Sequence, residues 1–176
     1  MVGVAEQALH RLRTACLRER RQQAGEFDLA RFGQLRRAFG EAEGDILAFL
    51  PGLGEIRRTE RELGGVPGAV VLPLHGDLPL SDQDRAIQPD AANRRKIVLA
   101  TSIAETSLTI QGVRIVIDSG LQRSPRFEPD LGISRLETVR VNRASADQRR
   151  GRAGRTEPGI AIRLWDQAQD QGLLPF

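Results

Sequence analysis

Gln148-Arg149-Arg150-Gly151-Arg152-Ala153-Gly154-Arg155 is the stretch on which the fold and the chemistry of this 176-residue chain turn. A helix entered at Ser145 and continued through it would set Gln148, Arg152 and Arg155 at i, i+4 and i+7. They would share one face, with Arg149 and Arg150 turned elsewhere. One amide and two guanidiniums on a common face suit a cluster of anionic oxygens, because a guanidinium fork binds phosphate in a planar, bidentate way. Gly151 and Gly154 each cost a helix about 1 kcal/mol relative to alanine. Two such costs in one turn imply that bulk is kept away so that something can approach closely. The alternative is a disordered, Arg/Gly-rich nucleic-acid tail. Strand-like segments on both sides, Glu137–Val141 and Gly159–Trp165, argue against a tail.

Outward from this stretch, the surrounding charge is local rather than global. Between Arg140 and Arg155 six arginines face one acid, Asp147, whereas the whole chain carries a net charge of only +3. Of the 26 basic residues 25 are arginine, Lys96 being the exception, and a codon bias toward arginine explains a skew of that breadth better than phosphate recognition everywhere. At 40% hydrophobic residues the chain can bury one ordinary globular core. It contains no run of about 18 apolar residues and no apolar segment near its start, so neither a membrane span nor a secretory signal is expected. A single cysteine, Cys16, excludes an internal disulfide and fits a reducing cytoplasm. Its helical spacing with Ala5, Leu9 and Leu12 marks it as a buried small hydrophobe.

Short continuous apolar runs alternate with charged helical stretches. Asp45–Leu50, Ala69–Leu74, Ile97–Ala100, Arg114–Ile117 and Ile160–Trp165 read as strands buried on both faces. Helices are expected over 4–22, over Leu29–Phe39 with Phe32, Leu35 and Phe39 on one stripe, over Gly54–Leu63, and over Ser81–Ile87 with Ser81 as N-cap. Such alternation predicts βαβ units and a mostly parallel α/β sheet with helices on both faces. Asp130-Leu131-Gly132 is a turn signal between Arg126–Glu128 and Ser134–Val141, which predicts a β-hairpin protruding from the sheet. In open parallel sheets ligands gather beyond the carboxyl ends of the strands. The strand Ile97–Ala100 delivers Thr101 and the segment Ser102–Ile110 to that edge, and Ser102 with Glu105 has capping-box spacing, so a short helix should start there. Its free N–H groups beside the Thr101 hydroxyl would make a phosphate-binding end.

The octapeptide resembles motif VI of superfamily 2 helicases in its DEAH-box form, and Thr101-Ser102-Ile103-Ala104-Glu105-Thr106-Ser107-Leu108-Thr109-Ile110 resembles motif V. Ile46–Gly52 with Glu55-Ile56 is similar to motif IV, and Leu74-His75-Gly76-Asp77-Leu78-Pro79 to the strand-end loop that follows it. The wording of Leu72–Leu74, Leu78–Leu80, Ser119–Leu121 and Arg163–Trp165 is closest to HrpB-like helicases. This resemblance implies a RecA-like (P-loop NTPase-type) second helicase domain over 35–176, after a helical N-terminal extension over 1–34. By position it makes Arg152 and Arg155 arginine fingers on the ATP γ-phosphate and Gln148 the residue that places the attacking water. Ser107 and Thr109 fall on the nucleotide side, and Thr101 and Gly76 on the nucleic-acid backbone. Ser102 replaces the family's usual Asn, and Gln111 stands where an acidic residue often meets the ribose.

Neither a P-loop, Gly-x-x-x-x-Gly-Lys-Ser/Thr, nor an Asp-Glu-Ala-His sequence occurs. The resemblance therefore implies a half-site, with Mg²⁺ ligands on a first RecA-like domain supplied in cis or in trans, single-stranded RNA as partner, and a cytoplasmic setting. On this reading the chain alone has no ATPase activity. Arg152 and Arg155 should matter for turnover far more than for folding, and Arg149 and Arg150, off that face, should be more tolerant. The alternatives are a non-catalytic module that binds nucleic acid or caps a helicase's first domain, and a truncated reading frame. No His or Cys cluster suggests a metal; His75 reads as a loop or core residue and Trp165 as a core anchor.

Overall fold

The computed structural model describes residues 27–106, 108–129, 132–155 and 158–176, without the side chains of 27–32 and of residue 167. The helix expected over 4–22, Cys16, Ser107, the Phe32 side chain and the Asp130-Leu131 part of the turn signal lie outside the described residues.

Five strands form one parallel sheet: β1 (Asp45–Phe49), β2 (Ala69–Leu74), β3 (Arg95–Ala100), β4 (Val113–Asp118) and β7 (Ile160–Arg163). Their order across the sheet is β2-β3-β1-β4-β7. Alternation along β1 assigns its two faces. Ile46, Ala48 and Leu50 join Ile97, Leu99, Ile115 and Ile117 in one apolar layer. Leu47 and Phe49 join Val98, Ala100 and Val116 in the other. Burial on both faces is why these strands are continuous apolar runs in the sequence. The first layer is covered by α1 (Phe27–Glu41), through Leu35 and Ala38, and by α2 (Leu53–Leu63), through Ile56 and Leu63. The second is covered by α3 (Leu80–Ile87) through Ala86. Helices thus lie on both faces, as expected. α3 begins one residue before Ser81, behind Pro79 and without a side-chain cap, so Ser81 is not its N-cap.

Lys96 closes the other end of α3. Its ammonium is buried in the sheet and donates to the carbonyls of Ala86 (3.1 Å), Ile87 (3.4 Å) and Gln88 (2.7 Å), 3.6 Å from the Asp45 carboxylate. The last carbonyls of a helix have no partner of their own, and a cation suits them.

Strands β5 (Leu121–Glu128) and β6 (Ile133–Arg140) form the expected hairpin, longer than the sequence indicated, as a separate antiparallel pair. It leaves Phe127, Leu136 and Ile133 exposed. Its last pair, Leu121↔Arg140, leads into α4 (Arg143–Arg150). The chain then returns through β7 to α5 (Gln167–Asp170). Trp165 is buried with Val141, Ala146 and Leu173, and its indole N–H donates to Asp170 Oδ1 at 2.7 Å. The core-anchor reading of Trp165 holds. Gly120 stands against that indole with φ +73°, and a Cβ there would lie 2.6 Å from the ring.

Candidate nucleotide and nucleic-acid half-site

Two loops meet at the carboxyl ends of β2 and β3. The register pairs Leu74 with Ala100, and the Thr101 N–H donates to the Leu74 carbonyl at 3.1 Å. Thr101 and the loop that opens with His75 and Gly76 therefore lie side by side at the sheet edge. A Cβ on Gly76 would meet nothing within 4 Å, so its loop offers an open surface. The His75 ring is buried, which agrees with its reading as a loop or core residue.

The capped helix expected after Thr101 is only a single 3₁₀ turn, Ser102–Ala104, with no side-chain cap. Glu105 does not reach back to the turn because its carboxylate is engaged elsewhere. Its Oε1 accepts from Arg149 Nε at 2.7 Å, and its Oε2 from Ser145 Oγ at 3.1 Å.

α4 differs from expectation at both ends. It starts at Arg143, behind Asn142, whose side chain accepts from the Ser145 N–H at 2.7 Å. It stops at Arg150, so Arg152 and Arg155 lie in the turn beyond it and share no helical face with Gln148. Gly154 adopts φ +81°, a left-handed conformation that glycine reaches without steric cost. What approaches this turn closely is the chain itself: a Cβ on Gly159 would lie 2.4 Å from Gly154 N.

The phase of α4 also separates Arg149 from Arg150, which the sequence had paired as the more tolerant positions. Ala146 and Arg149 are the buried positions of the helix, and Arg149 has no exposed surface at all. Its Nη2 lies 2.6 Å from Glu105 Oε1, its Nη1 donates to Asp118 Oδ1 at 2.9 Å and to the Leu121 carbonyl at 3.1 Å, and the guanidinium lies over the Phe49 ring. Burial pushes the Asp118 carboxyl upward, against the pull of the Arg149 charge and the Gly120 N–H. A charge so deeply buried persists only when paired and hydrogen-bonded. Arg150, by contrast, is exposed, 3.6 Å from Asp147.

Arg152 is buried too, and so is not the free side chain that its place in the sequence suggested. Nε donates to the Glu105 carbonyl at 3.0 Å and Nη1 to Leu108 at 2.6 Å. Nη2 donates to Thr106 at 2.6 Å and also to Glu105. Burial, then the neighbouring Arg155 charge, depresses its pKa, with Glu105 opposing. Arg155 is exposed and donates to Thr109 Oγ1 at 3.1 Å.

Thr109, Arg152 and Arg155 line one open cavity of about 290 Å³ together with Leu47, Leu108 and the Ile110–Val113 segment. Two guanidiniums and a hydroxyl at its wall suit phosphate oxygens. Gln111 is in the same wall. Gln148 is exposed on α4 and not among the lining residues. Among the described residues no group of three His, Cys, Asp or Glu side chains gathers. The sequence reading missed Arg149, Asp118 and the Glu105 carboxylate. The one signal for Arg149 was its i,i+3 spacing from Ala146.

Residues 31–157 match the helicase conserved C-terminal domain family. The chain is 52% identical over 126 residues to the ATP-dependent RNA helicase HrpB of Escherichia coli K12, covering 70% of the chain and 16% of that protein. It is 50% identical over 128 residues to the ATP-dependent RNA helicase DEAH12, chloroplastic, of Arabidopsis thaliana, covering 72% of the chain and 7% of the relative. A crystal structure of the E. coli DExH-box NTPase HrpB superposes with a TM-score of 0.80 at 43% identity, over 89% of this chain and 19% of that one.

Proposed function

We propose a function from a plain premise: the chain belongs to the family of helicase conserved C-terminal domains, in the form carried by HrpB-like DEAH-box helicases. It acts as the second RecA-like half, residues 35–176, of an ATP-dependent RNA helicase. One observation carries this reading. Thr109, Arg152 and Arg155 line a single cavity, Thr101 and the Gly76 loop form a sheet edge, and Arg152 binds the carbonyls of Glu105 and Thr106 between Thr101 and Thr109 in the sequence.

In the closed enzyme Arg155, the exposed cation of the pair, meets the developing charge on the transferred phosphoryl group. Arg152 gives up part of its carbonyl set to join it. Gln148, outside the cavity in the open chain, orients the attacking water, and Ser107 and Thr109 hold the nucleotide side. ATP with Mg²⁺ supplies the phosphoryl group, and the metal's ligands belong to a first RecA-like domain in cis or in trans. Thr101 and Gly76 contact the phosphate backbone of single-stranded RNA, so binding is sequence-independent and falls with salt. The setting is cytoplasmic, and among the described residues no helix is long and apolar enough to cross a membrane.

Fusion of the chain to the first RecA-like domain of the E. coli HrpB relative tests the reading. RNA-stimulated ATP hydrolysis is expected from the fusion and none from the chain alone. Arg155→Ala should cost the fusion about 10³-fold or more in rate. Turnover by the chain alone, or a fusion indifferent to Arg155→Ala, overturns the proposal.

A further inference from the structure

Arg149 cannot touch a ligand, because none of its surface is accessible, yet it joins three segments that lie far apart in the sequence. One branch of its fork holds Glu105, the residue that closes the turn after Thr101 through Glu105 N–H to Ser102 O (2.9 Å). The other holds Asp118 and the Leu121 carbonyl, where β4 passes into the hairpin. The helix that carries it ends one residue before the turn bearing Arg152, and Arg152 binds the carbonyl of the same Glu105. Glu105 is thus gripped at its carboxylate by one arginine of the octapeptide and at its backbone by another.

We infer that Arg149 is a positioning residue that locks the Thr101 turn and the root of the β5–β6 hairpin into one register. A guanidinium can bridge two carboxylates and a carbonyl with fixed N–H directions; an ammonium cannot span the same three sites. Loosening one anchor therefore loosens the other. The inference rests on the proposed contact of Thr101 with nucleic acid for its functional half, and on the geometry alone for its mechanical half.

The 176-residue chain tests both halves through amide hydrogen exchange and binding of fluorescein-labelled oligo-U. Arg149→Lys, Glu105→Gln and Asp118→Asn are compared at a temperature where each remains folded by circular dichroism. Arg149→Lys should speed exchange at both anchors, at the Ala104 and Glu105 amides and at those of Gly120 and Leu121, by about tenfold or more. Glu105→Gln should act most strongly on the first pair and Asp118→Asn on the second, each also raising exchange at the other anchor by a smaller factor. Arg149→Lys should weaken RNA binding about three- to tenfold, the scale of one hydrogen bond, and adding Thr101→Val should weaken it no further. Exchange rising at one anchor only overturns the locking role. Losses from Arg149→Lys and Thr101→Val that multiply reduce Arg149 to a fold-stabilising residue and overturn its positioning role. Should Arg149→Lys fail to fold, Asp118→Asn decides: Asp118 is on another strand from Thr101, so RNA affinity must fall through Arg149 or the inference fails. If the wild-type chain binds no RNA, the nucleic-acid reading fails, and the exchange data still decide the locking role.

Discussion

Arg149 and Arg155 stand six positions apart in one octapeptide and live in opposite surroundings. Arg149 is sealed between two carboxylates above an aromatic ring, while Arg155 stands in solvent with one hydroxyl partner. Between them lies Arg152, buried and bound to backbone carbonyls. What separates the two is the end of α4 at Arg150: the helix carries Arg149 inward on the Ala146 side, and the following turn carries Arg155 outward to the cavity wall. A charged motif is thus divided between a buried, paired arginine and an exposed one at a cavity wall, and residue type alone does not reveal the division.

That contrast can be broken by substitution. Arg149→Met leaves Asp118 and Glu105 without their shared counter-charge, and removal of one partner from a buried ion pair costs about 3–5 kcal/mol. Urea unfolding should register the full loss; a midpoint unchanged from wild type would make Arg149 the tolerant position that the sequence suggested. Arg152→Ala should cost less, about 2 kcal/mol, since carbonyls released from a charged donor can still find water. That differs from the sequence-based expectation that its melting barely moves, and thermal scans of the two variants side by side rank them. Gly154→Ala forces an L-residue to φ +81° and should cost about 1–2 kcal/mol, with Gly154→Asn milder. Equal unfolding midpoints for Gly154→Ala and wild type would mean that the turn relaxes. Arg155→Ala should shift stability by no more than about 0.5 kcal/mol while removing most ATP turnover from the first-domain fusion. A large stability loss there would erase the contrast with Arg149.

The sheet was legible because its strands are buried on both faces and so survive as apolar runs. Ala69–Leu74 matches β2 residue for residue, and the other strands differ by one or two at their ends. The hairpin was legible from its turn signal, but its length was not, since Leu121–Pro125 has no clean alternation against solvent. Glu105 misled for a different reason: its spacing from Ser102 is a local signal, whereas its actual partner, Arg149, is 44 residues away. Arg152 misled likewise, because carbonyls 44 to 47 residues back that accept from it leave no mark in the sequence. The gathering of Thr109, Arg152 and Arg155 followed from motif resemblance, and Gln148 outside the cavity did not.

Lys96 has a practical consequence. It is the only lysine in the chain, and its ammonium sits under the end of α3 with 1% of its side chain exposed. Apart from the α-amino group, the folded protein therefore presents no accessible primary amine to an acylating reagent. The rate at which Lys96 becomes acetylated, followed by mass spectrometry, would time the detachment of α3 from the sheet, with no label introduced and no residue changed.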